Sequence, residues 1–561
     1  MLTSGSHAFL QLIADAGVKY LFGNPGTTEL PLFDALVDHP RIELILGLQE
    51  IPVMAMADGF AQASGNVGVV NVHISCGLGN AMGMLYNAYR EGTPLLLTAG
   101  QQDQRLKFGE PILGSDMLSV VRPWTKWAAE VERVEDLPTA VRRAVQTALM
   151  PPTGPVFLAI PVNVQQEIAE LDLTPPKPLD SRVRPPLDAL RHAAELLASA
   201  ENPVILAGSR IVPADAVAEM VEIAELLGAP VLAEPGTTRG RLGFPCDHRL
   251  SAPALQVYSP GIRQQLDEFD VLFCVSMDLL QLYVYFEPEN PLPDHLRVVH
   301  LDQNAWSVGK NYPTEVGLVG DPKSGLKELA GLLRGLQTER QRDAVRRRTE
   351  SRAAIHRRLK DDLVSRAAAE RDMRPLTPLA AMSSLARALP DNAAVVAEAV
   401  TTAGTALEQL GAIKDPSGYF AHRGWALGWG VGMSLGVQLA WPDRPVLGII
   451  GEGAALYGIQ GLWSAAHHRI PATFVICNNA QYRILKGGAK SMSLPRANEG
   501  RFAGMDLTEP EIDMVALSRS LGVAAERITD PEELTEKVRA SLAGDVPRLF
   551  DVPIDRNKVG G

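Results

Sequence analysis

Cysteine is scarce in this sequence, and the spacing of the cysteines matches no disulfide or metal-binding motif. The 561 residues include four cysteines, and no two of them form a C-x-x-C pair. This argues against a disulfide framework and against a cysteine metal cage. The cysteines lie mostly in apolar or strand-like segments, which predicts reduced thiols in the core.

Long apolar runs and targeting signals are also missing. The least polar long stretch, 424–441, contains five glycines and predicts a buried helix instead of a membrane span. Residues 1–20 lack the basic start and apolar centre of a signal peptide, and they predict a capped amphipathic helix. These features predict a cytoplasmic protein with no membrane partner.

The sequence has neither an excess of positive charge nor an intact nucleotide motif. Its formal net charge of −12 at pH 7 argues against a nucleic-acid partner. No G-x-x-x-x-G-K occurs, and the glycines at 77, 79 and 83 miss the G-x-G-x-x-G spacing by one residue. The segment 207–210, Ala-Gly-Ser-Arg, leaves binding of FAD or a CoA group open, although we expect this region to be structural.

Strand-like apolar runs alternate with helical patterns three times along the chain. This rhythm predicts an α/β fold of three doubly wound parallel-sheet domains, over 1–170, 189–335 and 375–555. A proline-rich linker, 171–187, separates the first two domains. The charged segment 336–372 has a helical period and predicts an exposed helix that leads to the third domain.

One β-α-β segment carries the clearest chemical pattern. Two strand-like runs, 446–450 and 473–477, flank a helical pattern over 456–466; the first ends at Glu452 between two glycines, the second at Asn479. Parallel strands bring both ends to one sheet edge. A carboxylate, an amide oxygen and a nearby carbonyl suit Mg²⁺ bridging a diphosphate, and the glycines let backbone N–H groups approach phosphate. The alternative is a glycine-rich turn whose glutamate only complements a helix dipole.

This spacing resembles the diphosphate motif of thiamine diphosphate-dependent enzymes, in which a GDG triplet precedes an NN pair. Glu452 departs from the family, which has aspartate there. The extra methylene moves the carboxylate by roughly one bond length, against Mg–O distances of about 2.0–2.1 Å. Rotamer adjustment, a larger ion such as Ca²⁺ and weakened binding all remain open outcomes.

Glu50 is the second candidate for chemistry, since it follows a strand and opens a mostly apolar helix. Apolar neighbours favour the neutral carboxyl group and allow proton exchange near neutrality. The alternative is a glutamate that only caps its helix. The segments PGTTEL, LQE, ADGFAQASG, GLGNAMG and TPLLLTAGQQ, between residues 25 and 102, resemble the pyrimidine-binding domain of the same family in order and spacing.

The resemblance implies a role for each matched residue. Glu50 corresponds to the glutamate that hydrogen-bonds the cofactor's aminopyrimidine ring and promotes loss of the thiazolium C2 proton. Leu427 corresponds to the bulky residue that holds the cofactor bent. The implied cofactor contacts are Glu50, Thr401, Leu427, Gly451, Glu452, Gly453, Ala454, Asn479 and Tyr482. The implied ligands of Mg²⁺ or Ca²⁺ are Glu452, Asn479 and Gln481.

Within this family, the stretches NPGTTELPLF, NVHISCGLGNAMG and GLWSAAHHRIPATFVICNN most resemble benzoylformate decarboxylases. Thr27 then corresponds to the serine that binds the substrate carboxylate, and His73 to the first active-site histidine; a buried histidine satisfied by a carbonyl is the alternative. Tyr283 falls at the second histidine. A phenol titrating near about 10 would replace a group titrating near about 6.5, which favours hydrogen bonding over proton relay.

The remaining pocket residues predict an apolar site. Thr27, His73, Trp425, Tyr457, Ile484 and Leu485 are the expected substrate-pocket residues. Such a pocket favours an aromatic or branched 2-keto acid. The pair His422-Arg423 either supplies a cation to the substrate carboxylate or lies in a surface loop.

We therefore expect a thiamine diphosphate-dependent lyase that decarboxylates a small-molecule 2-keto acid, with carboligation as a side activity. The alternatives are an acetolactate synthase-like or 2-hydroxyacyl-CoA lyase-like carboligase, and a non-catalytic paralogue because of Glu452. The resemblance also implies a homodimer or homotetramer with active sites between subunits.

Overall fold

The computed structural model describes residues 1–177, 179–236 and 238–558. Its main elements are three parallel β-sheets flanked by helices, which confirms the predicted fold class. Among the described residues, every helix is too short or too polar to cross a membrane.

The first sheet has six parallel strands in the order β3-β2-β4-β5-β7-β6. Its strands are β2 (Tyr20–Gly23), β3 (Glu43–Leu46), β4 (Gly68–Val72), β5 (Leu95–Gln101), β6 (Trp127–Glu130) and β7 (Val156–Pro161), and a short antiparallel pair joins β1 (Leu2–Ser4) to β8 (Ile168–Glu170). The helices are α1 (Gly5–Asp15), α2 (Leu30–Leu36), α3 (Glu50–Ser64), α4 (Ile74–Glu91), α5 (Met117–Val121), α6 (Leu137–Leu149) and α7 (Val162–Gln166).

The central sheet has five parallel strands in the order β10-β9-β11-β12-β13. Its strands are β9 (Pro203–Ala207), β10 (Val231–Ala233), β11 (Val271–Val275), β12 (Arg297–Asp302) and β13 (Val316–Val319). The helices are α8 (Leu187–Ser199), α9 (Val217–Leu227), α10 (Ser259–Leu266) and α11 (Pro322–Leu336). The predicted connecting helix is α12 (Glu339–Glu370), which buries only Ala353, Leu363 and Ala367.

The third sheet has six parallel strands in the order β15-β14-β16-β17-β19-β18. Its strands are β14 (Ala394–Glu398), β15 (Tyr419–Phe420), β16 (Val446–Gly451), β17 (Thr473–Asn478), β18 (Ala524–Arg527) and β19 (Arg548–Pro553). The helices are α13 (Pro378–Ala388), α14 (Val400–Ala403), α15 (Ala406–Gln409), α16 (Trp429–Ala440), α17 (Glu452–Ala455), α18 (Gly461–His467), α19 (Arg483–Ser491), α20 (Pro495–Asn498), α21 (Met514–Ser520) and α22 (Pro531–Leu542).

The first and third sheets share one topology. Numbered within each sheet, both run 2-1-3-4-6-5, so β2, β3 and β4 correspond to β14, β15 and β16. Their central strands are buried along their whole length, as expected for strands with helices on both faces. Each sheet therefore offers an equivalent edge, at the carboxyl ends of its central strands, for binding a ligand.

Two elements differ from the sequence-based prediction. The helix expected over 456–466 is helical only from Gly461 onward, in α18; residues 456–460 form a turn between α17 and α18, and this turn packs against another loop. A Cβ at Gly458 would collide with the carbonyl oxygen of Gly428. The N-terminal helix is capped, as expected, by the side chain of Ser4, but it ends at Asp15 and not near residue 20, because Tyr20 already belongs to β2.

The first and third domains are joined by a close crossing of α3 and α16. A Cβ at Gly432 would lie 2.6 Å from the carbonyl oxygen of Pro52, and one at Gly436 would collide with that of Met56. Across the same crossing, Trp429 Nε1 donates a hydrogen bond of 2.7 Å to Asp58. One continuous apolar cluster therefore extends from the first sheet to the third.

Replacing Gly436 by alanine tests this crossing. The added Cβ meets backbone and not a flexible side chain, so Gly436→Ala is expected to destabilise the fold by about 1–3 kcal/mol. Gly331→Ala, in an open position of α11, is the matched control and should change stability by less than about 1 kcal/mol. Denaturant unfolding measures both, and equal effects would contradict the close crossing.

Candidate active site

Glu50 lies at the carboxyl-end edge of the first sheet, held by two side-chain amides. It begins α3, with three residues between it and the end of β3, and is buried. Asn24 Nδ2 donates to Oε1 at 3.3 Å, and Asn80 Nδ2 donates to Oε2 at 3.0 Å. A Cβ at Gly77 would lie 2.8 Å from Oε1. The carboxylate is thus fixed by α4 and by the loop after β2.

His73 forms a second group at this edge, together with a glutamate that the sequence pattern did not indicate. Its Nδ1 lies 2.8 Å from Glu29 Oε2. The other oxygen of Glu29 accepts hydrogen bonds from the backbone N–H groups of Ile74 and Gly100, at 3.1 and 2.8 Å. Glu29 is completely buried, so it fixes the ring of His73 and favours the proton on Nδ1. Nε2 is then the ring nitrogen that can accept a proton.

Thr27 begins the turn beside this histidine. It is exposed, whereas Thr28 is buried and donates its hydroxyl hydrogen to Glu29 Oε1 at 2.7 Å. A Cβ at Gly26 would collide with the His73 ring, so the glycine lets the turn approach the histidine. Thr27, Glu50 and His73 therefore follow β2, β3 and β4, which are neighbours in the sheet.

Glu452 and Asn479 meet at the equivalent edge of the third sheet. Glu452 is buried, and its carboxylate accepts hydrogen bonds from the backbone N–H groups of Gln481, at 3.0 Å, and Asn479, at 3.4 Å. Asn479 Oδ1 also accepts from the Gln481 N–H at 3.1 Å. Burial raises the pKa of Glu452, and the nearby Asp551 carboxylate raises it further, while the backbone hydrogen bonds lower it.

Aromatic side chains and Leu427 surround this turn. The ring of Tyr482 lies over Gly453, where a Cβ would be 2.9 Å from Cε1. Burial raises the pKa of Tyr482, as do its neighbours Tyr457 and Glu452. Gly428, which follows Leu427, packs so closely on Tyr457 that an added Cβ would lie 2.6 Å from the Tyr457 Cβ. These contacts bring Leu427 to the same edge as Glu452.

Glu398 is a buried carboxylate beneath that loop, and it too was missed from the sequence. It ends β14 and accepts hydrogen bonds from the backbone N–H groups of Gly428, Trp429 and Gly430, at 3.0, 3.1 and 2.8 Å. Burial raises its pKa to about 7 despite these bonds. Glu398 therefore anchors the first turn of α16 and the loop that carries Leu427; Thr401 lies just beyond it, in α14.

A cavity of about 750 Å³ opens beside the third sheet, between it and the central domain. Three of the expected pocket residues, Trp425, Ile484 and Leu485, line it, together with Tyr283, which the resemblance aligned with an active-site histidine. Every described residue of its wall lies at 236–258, at 283 or at 397–505, so the wall comes from the central and third domains. Thr27, His73 and Glu50 belong to a separate group in the first domain.

His422 and Arg423 do not form a free cation for a substrate. Burial lowers the pKa of His422 to about 4, and its Nδ1 accepts a hydrogen bond from the Trp425 N–H at 3.0 Å. Arg423 is buried and donates to Thr238 O at 2.8 Å and to Asp278 at 3.3 Å. The neutral His422 lines the cavity, whereas Arg423 joins the third domain to the central one.

The missed residues have only a weak signal in the sequence. Glu29, Asn24 and Asn80 lie within or beside glycine-containing turn segments, but nothing local shows which side chains point inward. Glu398 ends a strand just as Glu452 follows one. A carboxylate at the carboxyl end of a predicted parallel strand is the pattern that would have found it.

The residues at the third-sheet edge fit a metal-bridged diphosphate. Among the described residues, no group of three His, Cys, Asp or Glu side chains forms a metal site. A divalent ion here would therefore depend on the one carboxylate of Glu452 with amide and carbonyl oxygens, a donor set that suits Mg²⁺ or Ca²⁺. A Cβ at Gly451 would touch the backbone at one place, the carbonyl oxygen of Glu398 at 3.9 Å, so a phosphate could approach the Gly451 backbone.

Models of one known protein family match all three domains of this chain. Three family models match: the N-terminal TPP binding domain of thiamine pyrophosphate enzymes over residues 3–110, the central domain over 190–329 and the C-terminal TPP binding domain over 399–552. The match places Glu50 and His73 in the first of these domains, and Glu452 and Asn479 in the third.

Curated and solved relatives agree with these models. The benzoylformate decarboxylase of Pseudomonas aeruginosa is 34% identical over 550 residues, which cover 97% of this chain and 98% of that protein. A probable acetolactate synthase large subunit of Methanocaldococcus jannaschii is 27% identical, with 98% and 92% covered. The structure of a 4-hydroxybenzoylformate decarboxylase from Rhodococcus jostii has a TM-score of 0.85 at 29% identity, with 99% of both chains covered. On these matches, the chain belongs to the thiamine pyrophosphate enzyme family.

Proposed function

We propose that this protein is a thiamine diphosphate-dependent lyase that decarboxylates a 2-keto acid, as benzoylformate decarboxylases do. The observation that carries the proposal is the 34% identity to such an enzyme over nearly the full length of both chains. The two half-sites support it, since each presents a buried glutamate at the ligand-binding edge of a parallel sheet.

The first-domain residues would handle protons and the substrate carboxylate. Glu50, fixed by Asn24 and Asn80, is assigned to proton exchange with the cofactor ring. His73, oriented by Glu29, is assigned to proton exchange with the substrate through Nε2, and the Thr27 hydroxyl to hydrogen bonding with the substrate carboxylate. Tyr283 is assigned to hydrogen bonding at the far side of the pocket.

The third-domain residues would hold the coenzyme. Thiamine diphosphate, when bound, supplies the electron sink that decarboxylation requires. Glu452, Asn479 and the Gln481 carbonyl would hold Mg²⁺ or Ca²⁺ at the diphosphate, with Thr401 and the turn from Gly451 to Ala454 around it. Leu427 and Tyr482 would support the rings. The cavity wall at Trp425, Ile484 and Leu485, together with Tyr457, would exclude water from the substrate.

A carboligase of the acetolactate synthase type is the second candidate. Relatives with that name align over nearly the whole chain, but three of them are only 25–27% identical to it. In the central domain, Ser209 and Arg210 of the Ala-Gly-Ser-Arg segment hydrogen-bond to Glu234 and Asp302, at 2.8 and 2.6 Å. These internal bonds favour a structural role for that segment over nucleotide binding.

We also propose that the active enzyme is a homodimer or homotetramer in which Glu50 of one chain faces Glu452 of another. The first-domain group lies apart from the cavity wall within one chain, which supports a site completed by a second copy. The four cysteines are free thiols, which supports a reducing, cytoplasmic setting. We place the limits of the three domains at 1–170, 189–335 and 375–555.

The decisive test of the activity is CO₂ release from benzoylformate with thiamine diphosphate and Mg²⁺ present. The wild-type protein should release CO₂, and Glu50→Gln should lower kcat/KM by about 10²–10⁴-fold because the proton-exchanging group is lost. Cofactor binding, followed by calorimetry, should persist in the variant. Near-wild-type turnover by Glu50→Gln would refute the assigned role.

The Glu452 position is tested by two substitutions with different effects. Glu452→Gln keeps the side-chain length but removes the charge, and it should weaken Mg²⁺-dependent cofactor binding by about tenfold or more. Glu452→Asp should bind the cofactor at least as well with Mg²⁺ and should favour Mg²⁺ over Ca²⁺, because the shorter carboxylate suits compact octahedral geometry. Calorimetric titration with each ion gives the affinities. Unchanged metal dependence in Glu452→Gln would remove this residue from the metal site.

Mixing two inactive variants tests the shared site. If Glu50 and Glu452 of different chains form one site, co-expressed Glu50→Gln and Glu452→Gln chains regain about a quarter of the wild-type sites, since half of random dimers are mixed and each has one intact site. Each variant expressed alone is the control. If activity did not recover although mixed dimers formed, the two residues would act within one chain.

A further inference from the structure

The cavity between the central and third domains is far larger than a small 2-keto acid needs. Its volume of about 750 Å³ would hold roughly 25 waters at about 30 Å³ each, and cavities of this size ordinarily enclose drug-sized ligands. A coenzyme held at the third-sheet edge and a substrate with one phenyl ring would still leave to water the part of this space that borders α19 and the central domain.

Small residues make the space, and the apolar face of α19 borders it. Ala397, Ala421, Gly404 and Gly488 all line the wall, where larger side chains would fill the volume. Ile484 and Leu485 of α19, with Met492 at its end, are 43, 48 and 48% exposed. A ligand that covers these side chains gains affinity in proportion to the apolar area removed from water.

The wall carries little net charge. Its guanidinium, Arg239, is buried and lies 2.7 Å from Glu408 Oε1. His422 is neutral, since burial lowers its pKa to about 4. Tyr258 and Tyr283 of the central domain add aromatic rings to the wall. An uncharged, aromatic substituent fits this wall, whereas an ionised one would lose hydration without a partner.

Resting on the proposed decarboxylase function, we propose that the preferred substrates are 2-keto acids with an apolar aryl substituent larger than phenyl. Gly488 is the residue that admits them. The keto acid end of the substrate lies near Trp425 and Val400, which are close in sequence to Leu427 and Thr401. The aryl substituent extends along α19 toward Tyr258 and Tyr283.

Two adjacent glycines in α19 allow a matched test. Gly488 lines the cavity, and a Cβ there would meet nothing within 4 Å, so there is room for a larger side chain to begin on the cavity side. Gly487 is its neighbour in the same helix but lies outside the wall, and its added Cβ is 4.0 Å from Arg483 Nη1. Both replacements gain the same helix propensity, so only their position relative to the cavity differs.

The experiment compares 4-phenylbenzoylformate with benzoylformate on the enzyme loaded with thiamine diphosphate and Mg²⁺. The wild-type protein should favour the larger acid by about tenfold or more in kcat/KM. Gly488→Leu should lower that value by about tenfold or more while changing benzoylformate turnover by less than about threefold. Gly487→Leu should leave both substrates within about threefold of wild type. The increase in melting temperature on binding the cofactor should be the same in all three proteins.

Other outcomes overturn the inference in distinct ways. A wild-type preference for benzoylformate, or equal effects of Gly488→Leu and Gly487→Leu, would show that the cavity does not select the substituent. If neither acid released CO₂, the proposed activity would be refuted. Calorimetric binding of both acids to the cofactor-loaded protein would still test whether the cavity selects the substituent. Tighter binding of the larger acid by wild type than by Gly488→Leu supports the inference, and equal binding refutes it.

Discussion

The close crossing of α3 and α16 is the constraint on which the rest of the structure depends. Three glycines, Gly59, Gly432 and Gly436, let the two helices approach until backbone meets backbone. Asp58 and Trp429 add a buried hydrogen bond, and burial raises the pKa of Asp58 although three side chains donate to it. Because Glu50 opens α3 and the Leu427 loop leads into α16, this one contact sets the position of both half-sites.

Buried carboxylates with backbone partners recur at the two half-sites. Glu29 accepts from the N–H groups of Ile74 and Gly100, and Glu398 from three N–H groups at the start of α16. Removing such an acceptor would leave buried N–H donors unpaired. Each carboxylate therefore fixes a loop that carries a candidate site residue, His73 in one case and Leu427 in the other. The two sheets share one strand order, and each has a buried carboxylate that accepts hydrogen bonds from backbone N–H groups.

The central domain contributes positioning contacts and part of the cavity wall. Arg423, one residue after His422, is held by Thr238 and Asp278 of that domain. The loop that contains Arg423 also binds the first domain. The Asn87 side-chain amide donates to Ala426 O at 2.8 Å and accepts from Ala426 N–H at 3.1 Å. The loop before Leu427 is thus fixed by all three domains, and the geometry of the pocket depends on their packing together.

The sequence by itself determined the fold class, the strand ends that carry Glu50, Glu452 and Asn479, and the family. Strand-length apolar runs that alternate with helical patterns predict parallel sheets, because the right-handed crossover of each β-α-β unit brings the strand ends to the same sheet edge. Only the tertiary structure decided that Glu29 orients His73, that Arg423 is buried and paired with Asp278, and that the predicted helix begins only at Gly461. These outcomes depend on which distant side chains meet in the interior, and burial and pairing across domains are set by packing and not by any local pattern.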